Sequence, residues 1–216
     1  MIKQIAESLI GRALTAADGI APDIITTTET RLQSSLPAAL KAFYLLAGNI
    51  SMLTSSFQRF EAPAEIAIEK GLLIFMEENQ AVCYWGVKPE EATNEEAIVY
   101  QRQVFDDHVD DYSEDIALPD FIREILYYQC AQGGYEFAGS IVTDELESVE
   151  DFLDDVAEDY ALVVKRDALV IYQKGTNLIW YLTDREGNIY DETIYLSSLT
   201  EKEFEAEADV YGFEDL

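Results

Sequence analysis

The chain has 216 residues, 49% hydrophobic and 12% aromatic, a globular composition that excludes a wholly disordered chain. Its 14 basic and 43 acidic groups give a formal charge of −29, which disfavours nucleic acid and anionic membranes, both of which are held by Lys and Arg. No apolar run approaches the roughly 18 residues of a membrane span, and two cysteines with one histidine make neither a zinc site by themselves nor a disulfide scaffold.

In chain order, residues 2–17 read as an amphipathic helix with Ile2, Ile5, Leu9, Ile10, Ala13 and Leu14 on one side. The segment lacks the unbroken apolar stretch and cleavage site of a signal peptide, so a reducing cytoplasm is the expected compartment. Gly19 and Pro22 break the pattern. A helical turn at 29–33 leads to a clearer helix at 37–47, with Pro37 in its first turn, Leu40, Phe43, Tyr44 and Ala47 as its stripe, and Gly48 as its stop. The runs 57–63, 71–79 and 81–87 read as strands, with a hairpin at 77–80, and 98–100 as another short strand. Residues 119–131 return to helix and end at Gly133-Gly134. Ser148 and Asp151 cap a helix at 148–159, and strands follow at 160–164, 168–173, 177–183 and 188–195, turned at Lys174-Gly175-Thr176 and Glu186-Gly187-Asn188. Thr200 and Glu203 open a C-terminal helix. With no repeat, no linker and no βαβ alternation, the expected class is α+β: an antiparallel or mixed sheet of hairpins and meander, flanked by N-terminal, middle and C-terminal helices in a single domain, 1–216.

The charge is unevenly placed. Residues 1–70 carry six basic and seven acidic groups, and the remainder carries eight and 36. Such a field attracts a basic protein; solvation or salt adaptation are the plainer uses. Two clusters stand out. Asp106, Asp107, Asp110, Asp111, Glu114 and Asp115 fall within ten residues of what reads as an exposed loop. Asp151, Asp154, Asp155 and Glu158, at i, i+3, i+4 and i+7, share one face of the 148–159 helix, opposite Val149, Phe152, Leu153 and Val156. These ten residues are the candidate partner-binding groups. The first cluster has carboxylates enough for calcium but neither the spacing nor the glycine of an EF-hand, so no metal site is expected.

Enzyme templates fail. There is no Gly-rich phosphate loop, no metalloprotease helix, no nucleophile-elbow serine and no paired CxxC, and no catalytic residue or cofactor is expected. His108, between acidic neighbours, reads as a solvated imidazole. Trp85 reads as core, and Cys83 and Cys130 as small buried hydrophobes without a basic neighbour. The expected partner is a basic protein, with no nucleic acid and no membrane, and the expected state is a monomer or weak homodimer.

One stretch goes beyond composition. Glu29-Thr-Arg-Leu32, then Leu36-Pro37-x-x-Leu40-Lys41-x-Phe43-Tyr44 and Gly48-Asn49, resembles the opening signature of the SUKH superfamily. Pro63-x-Glu65, Gly71 through Glu78-Asn79-Gln80, Trp85-Gly86, Phe121 to Tyr128-Gln129 and Gly133-Gly134 fit its later segments. The resemblance spans roughly 25–140, a SUKH-like core on which the 141–216 helix–meander–helix portion is expected to pack. It implies a non-enzymatic α+β protein-binding domain: an immunity protein against a toxin, often a nuclease, or a regulatory scaffold as in fungal relatives.

Overall fold

Short strands joined by tight turns pair mainly with their sequence neighbours, and every ladder among the described residues is antiparallel. The computed structural model describes residues 1–105, 108–166 and 168–216, and the side chains of Phe105 and His108 are likewise outside the description. Seven α-helices and two six-stranded sheets among the described residues make the protein α+β. Two compact units divide the chain: Met1–Ala6 with Ala13–Gln129, and Glu7–Arg12 with Cys130–Leu216. No helix among the described residues is long and apolar enough to cross a membrane.

Helix α1 (Ile2–Ile10) ends seven residues short of the expected 17, because Gly11 adopts φ 66° and the Asp18 carboxylate then gathers the Thr15 N–H and hydroxyl into a turn at 2.7 and 2.8 Å. Pro22 opens α2 (Pro22–Leu32) at a position where its missing N–H costs nothing, so the expected turn at 29–33 is the end of a longer helix. Helices α3 (Ala38–Ala47) and α4 (Ser51–Thr54) follow.

The first unit's sheet runs β1-β3-β4-β5-β6, with β2 also paired to β3. Its strands are β1 (Arg59–Phe60), β2 (Ala67–Glu69), β3 (Leu72–Glu77), β4 (Cys83–Val87), β5 (Ile98–Phe105) and β6 (His108–Ala117). Lys70 and Gly71 both take positive φ, the two-residue turn that suits a twisted hairpin, between the paired residues Glu69 and Leu72. Helix α5 (Leu118–Gln129) sends Phe121 against Phe75 and Trp85, at ring separations of 6.1 and 6.3 Å, and Phe43 of α3 meets Phe60 at 4.7 Å.

The second unit's sheet runs β12-β7-β11-β10-β9-β8. Its elements in chain order are β7 (Phe137–Val142), α6 (Val149–Asp159), β8 (Ala161–Arg166), β9 (Leu169–Lys174), β10 (Asn177–Leu182), β11 (Thr193–Ser198), α7 (Glu201–Tyr211) and β12 (Glu214–Asp215). Ile141, Val170, Ile179, Tyr181, Ile194 and Leu196 alternate onto one sheet face and form a core with Val156, Tyr160 and Phe204. Both predicted caps form: the hydroxyls of Ser148 and Thr200 accept the Asp151 and Glu203 N–H groups at 3.2 and 3.4 Å. The strand expected at 188–195 instead begins at Thr193, because Asp191 and Glu192 hold positive φ and interrupt the extended chain.

Candidate functional site

Carboxylates were the predicted working groups, and the two clusters meet different fates. Within the described residues, the 106–115 stretch is a strand where a loop was expected. From His108 onward it is β6, laddered to β5 with Arg102 opposite Asp111, Gln103 opposite Asp110 and Val104 opposite Val109. Asp106 and Asp107 lie outside the described residues. Strand period two sends successive side chains to opposite sheet faces, so Asp110 and Asp111 part company.

Each described carboxylate of this strand has a partner within the chain. The Arg102 guanidinium, 5% exposed, donates Nε and Nη2 to the two oxygens of Asp111 at 2.7 Å each, and Nη1 to the Glu69 carbonyl at 2.6 Å. That fork is the planar, two-point geometry in which arginine and carboxylate bind most strongly. The Trp85 indole N–H donates to Glu114 at 2.8 Å, the Ser113 hydroxyl to Asp115 at 2.7 Å, and the Tyr112 hydroxyl to Asp110 at 3.3 Å. Trp85 is buried, as expected of core. So are Cys83 and Cys130; burial, with Glu78 and Glu114 nearby, pushes the Cys83 thiol up to about 11.

Helix α6 behaves otherwise. Asp151, Asp154, Asp155 and Glu158 are exposed on its outer side, Val156 is buried on the other, and no lysine or arginine among the described residues forms an ion pair with any of the four. Mutual repulsion at this spacing costs about 0.2–0.5 kcal/mol per pair. The sequence reading missed that α7 continues the pattern: Glu201, Glu205 and Asp209, at i, i+4 and i+8, are exposed along its outer side. That period was available in the sequence. Phe152, Asp155, Glu158, Asp159, Val210 and Tyr211 line a groove of about 330 Å³ between the two helices, with Val210 71% exposed. Altogether the second unit holds six basic residues against 23 acidic ones.

A polar network borders this face. Lys174 Nζ reaches Glu207 at 3.1 Å and Asp159 at 3.3 Å, the Tyr160 hydroxyl donates to Glu207 at 2.8 Å, and the Tyr211 hydroxyl to Asp159 at 3.2 Å. Burial, then the Glu207 carboxylate, raises the Tyr160 phenol; burial, then Asp159, pushes Tyr211 up to about 12. The hydrogen bond to Glu207 raises Lys174. All three shifts lead away from neutrality, where a general acid or base works best. The network ties β9 to the ends of α6 and α7. Among the described residues no group of three or more His, Cys, Asp or Glu is arranged to hold a metal ion.

The residues that carry the SUKH resemblance have fold-building tasks. Glu29 Oε1 accepts the Leu36 N–H and the Lys41 ammonium, both at 2.8 Å, tying α2 to the start of α3. Arg31 Nη2 donates to the Pro63 and Ile66 carbonyls at 3.1 and 2.7 Å, and the Tyr44 hydroxyl to the Glu61 carbonyl at 2.5 Å. Leu36, Leu40, Phe43 and Tyr44 are buried. Comparison with models of known families, with curated proteins and with solved structures finds no match.

Proposed function

We propose that this chain is a non-enzymatic protein-binding module that docks a basic protein through the outer carboxylates of α6. The observation that carries the reading is the contrast in pairing: Asp151, Asp154, Asp155 and Glu158 share one exposed helix face without an internal cation, at a cost in helix stability that a cationic partner offsets. The SUKH resemblance supplies the kind of partner. On that footing the protein is a cytoplasmic immunity protein that neutralises a basic toxin domain, a nuclease being the toxin class whose substrate-binding surface is necessarily cationic.

The test is association kinetics with the product of the adjoining gene, followed by stopped flow at rising salt. Replacing Asp151, Asp154 and Asp155 by Asn and Glu158 by Gln should slow association about tenfold at low salt and flatten its salt dependence. Equal, salt-independent rates for wild type and variant would exclude steering by this face. A neighbouring product that neither binds nor is neutralised on co-expression would remove the toxin.

A further inference from the structure

At one end of the second unit's sheet, Trp180 of β10 and Tyr195 of β11 are direct cross-strand partners whose rings stack at 4.3 Å and 15°. Together with Tyr190, Asp191, Gln132 and Ser197 they line a cleft of about 270 Å³. That is just below the roughly 300 Å³ at which sites for whole small molecules begin, and suits a single side chain. We infer that this cleft receives an arginine side chain of the basic partner, its guanidinium over the aromatic rings and against the Asp191 carboxylate.

The polar inventory of the cleft selects a cation. Its indole N–H is already committed to the Ser197 hydroxyl at 3.1 Å, and that hydroxyl gives its own proton to the Ala131 carbonyl at 2.8 Å. No lysine or arginine lines it. The polar side chains without an internal partner among the described residues are the Asp191 carboxylate, the Gln132 amide and the Tyr190 and Tyr195 hydroxyls, of which the carboxylate alone carries charge. Trp180 and Tyr195 each turn one face to the other, Trp180 is buried, and the 54% exposed Tyr190 adds a third ring, so the cleft wall is an aromatic surface of the kind to which a cation is drawn. Of the lysine and arginine cations, guanidinium alone is planar, so it can lie flat on a ring while its edge forks to a carboxylate. An anion would meet the repulsion of the Asp191 carboxylate with no lysine or arginine to offset it.

The source of the arginine rests on the basic-partner reading above, and the geometry agrees with it. Tyr190 and Asp191 also border the wider cleft between α6 and the 183–192 segment, where Glu150, Asp184, Glu186 and Glu192 outnumber Lys165 and Arg185, so a ligand on the helix side can reach the aromatic cleft around that segment.

The experiment titrates acetyl-triarginine amide into the full chain and follows the two indole N–H resonances by NMR, Trp85 serving as the control inside the first unit. The Trp180 signal should move saturably and the Trp85 signal stay. Asp191→Asn keeps the turn, because asparagine tolerates the φ of 53° found there, and should weaken binding about threefold to fivefold. Tyr190→Ala, at a 54% exposed position, should weaken it about threefold. The α6 variant should still shift the Trp180 signal, which separates failure of the cleft from failure of the helix face. An unmoved Trp180 signal, undiminished binding in both cleft variants, or equal binding of acetyl-tricitrulline amide would overturn the inference. Equal binding of the trilysine peptide would overturn its restriction to guanidinium.

Discussion

The β5–β6 hairpin and helix α6 are both dense in carboxylates, yet they use them in opposite ways. In the hairpin the acidic groups are divided between two sheet faces and partnered within the chain: Asp111 holds Arg102, Glu114 takes the Trp85 indole, and Asp115 closes on Ser113. In the helix the 3.6-residue period gathers Asp151, Asp154, Asp155 and Glu158 on one side, where no basic residue among those described answers them. The same amino acids at similar density therefore hold a fold together in one place and present a charged surface in the other. Backbone period, rather than composition, decides which.

That contrast is sharpest at Arg102. Arg102→Met leaves Asp111 without its cation and the Glu69 carbonyl without its donor, and should lower unfolding free energy in urea by about 2–4 kcal/mol. A loss below about 1 kcal/mol would mean that the hairpin carboxylates are as idle as those of α6. Next comes Glu207, the α7 carboxylate that does face inward. Glu207→Ala strands the Tyr160 hydroxyl and should cost about 1–3 kcal/mol by the same measurement.

A smaller, pH-dependent effect belongs to Glu29. Burial opposes its charge, but the Lys41 ammonium and the Leu36 N–H outweigh burial and hold the carboxyl below its ordinary 4.5. The folded chain thus binds this proton less readily than the unfolded one. The stabilisation is complete above pH 4.5 and fades as pH falls through the lower folded value, so Glu29→Gln should flatten the stability profile across that window. Smallest of all, Asp154→Asn with Asp155→Asn should raise stability by a few tenths of a kcal/mol through relief of repulsion along α6. A clear destabilisation would show that these side chains, too, have work inside the fold.

What could be read from the sequence was local. The caps at Ser148 and Thr200 and the stripe of α6 depend on residues three or four apart, and all three form. The turn at Gly175, which takes φ 60°, was legible for the same reason. Strand β7 was not, because Ala138-Gly139-Ser140 offers none of the branched or aromatic bulk that marks a strand. Gly139 is there because a Cβ would lie 2.5 Å from the Glu214 carbonyl oxygen and 2.8 Å from the Phe204 ring, contacts made by residues more than 60 positions on. Acidic density hid β6 in the same way, since Asp and Glu are poor strand formers and the arginine that justifies Asp111 sits in the facing strand. The aromatic cleft, assembled from Gln132, Trp180 and the 190–197 segment, had no local signature at all.

The segment Glu7–Arg12 belongs with residues beyond 129: Tyr135 donates its hydroxyl to the Leu9 carbonyl at 2.9 Å, and Gln173 its amide to the Ser8 hydroxyl at 2.8 Å. During translation this segment emerges more than a hundred residues ahead of its partners Tyr135 and Gln173. Closing so long a loop is entropically slow, so refolding of the second unit should show a late kinetic phase that mutations at Leu9 or Tyr135 alter selectively.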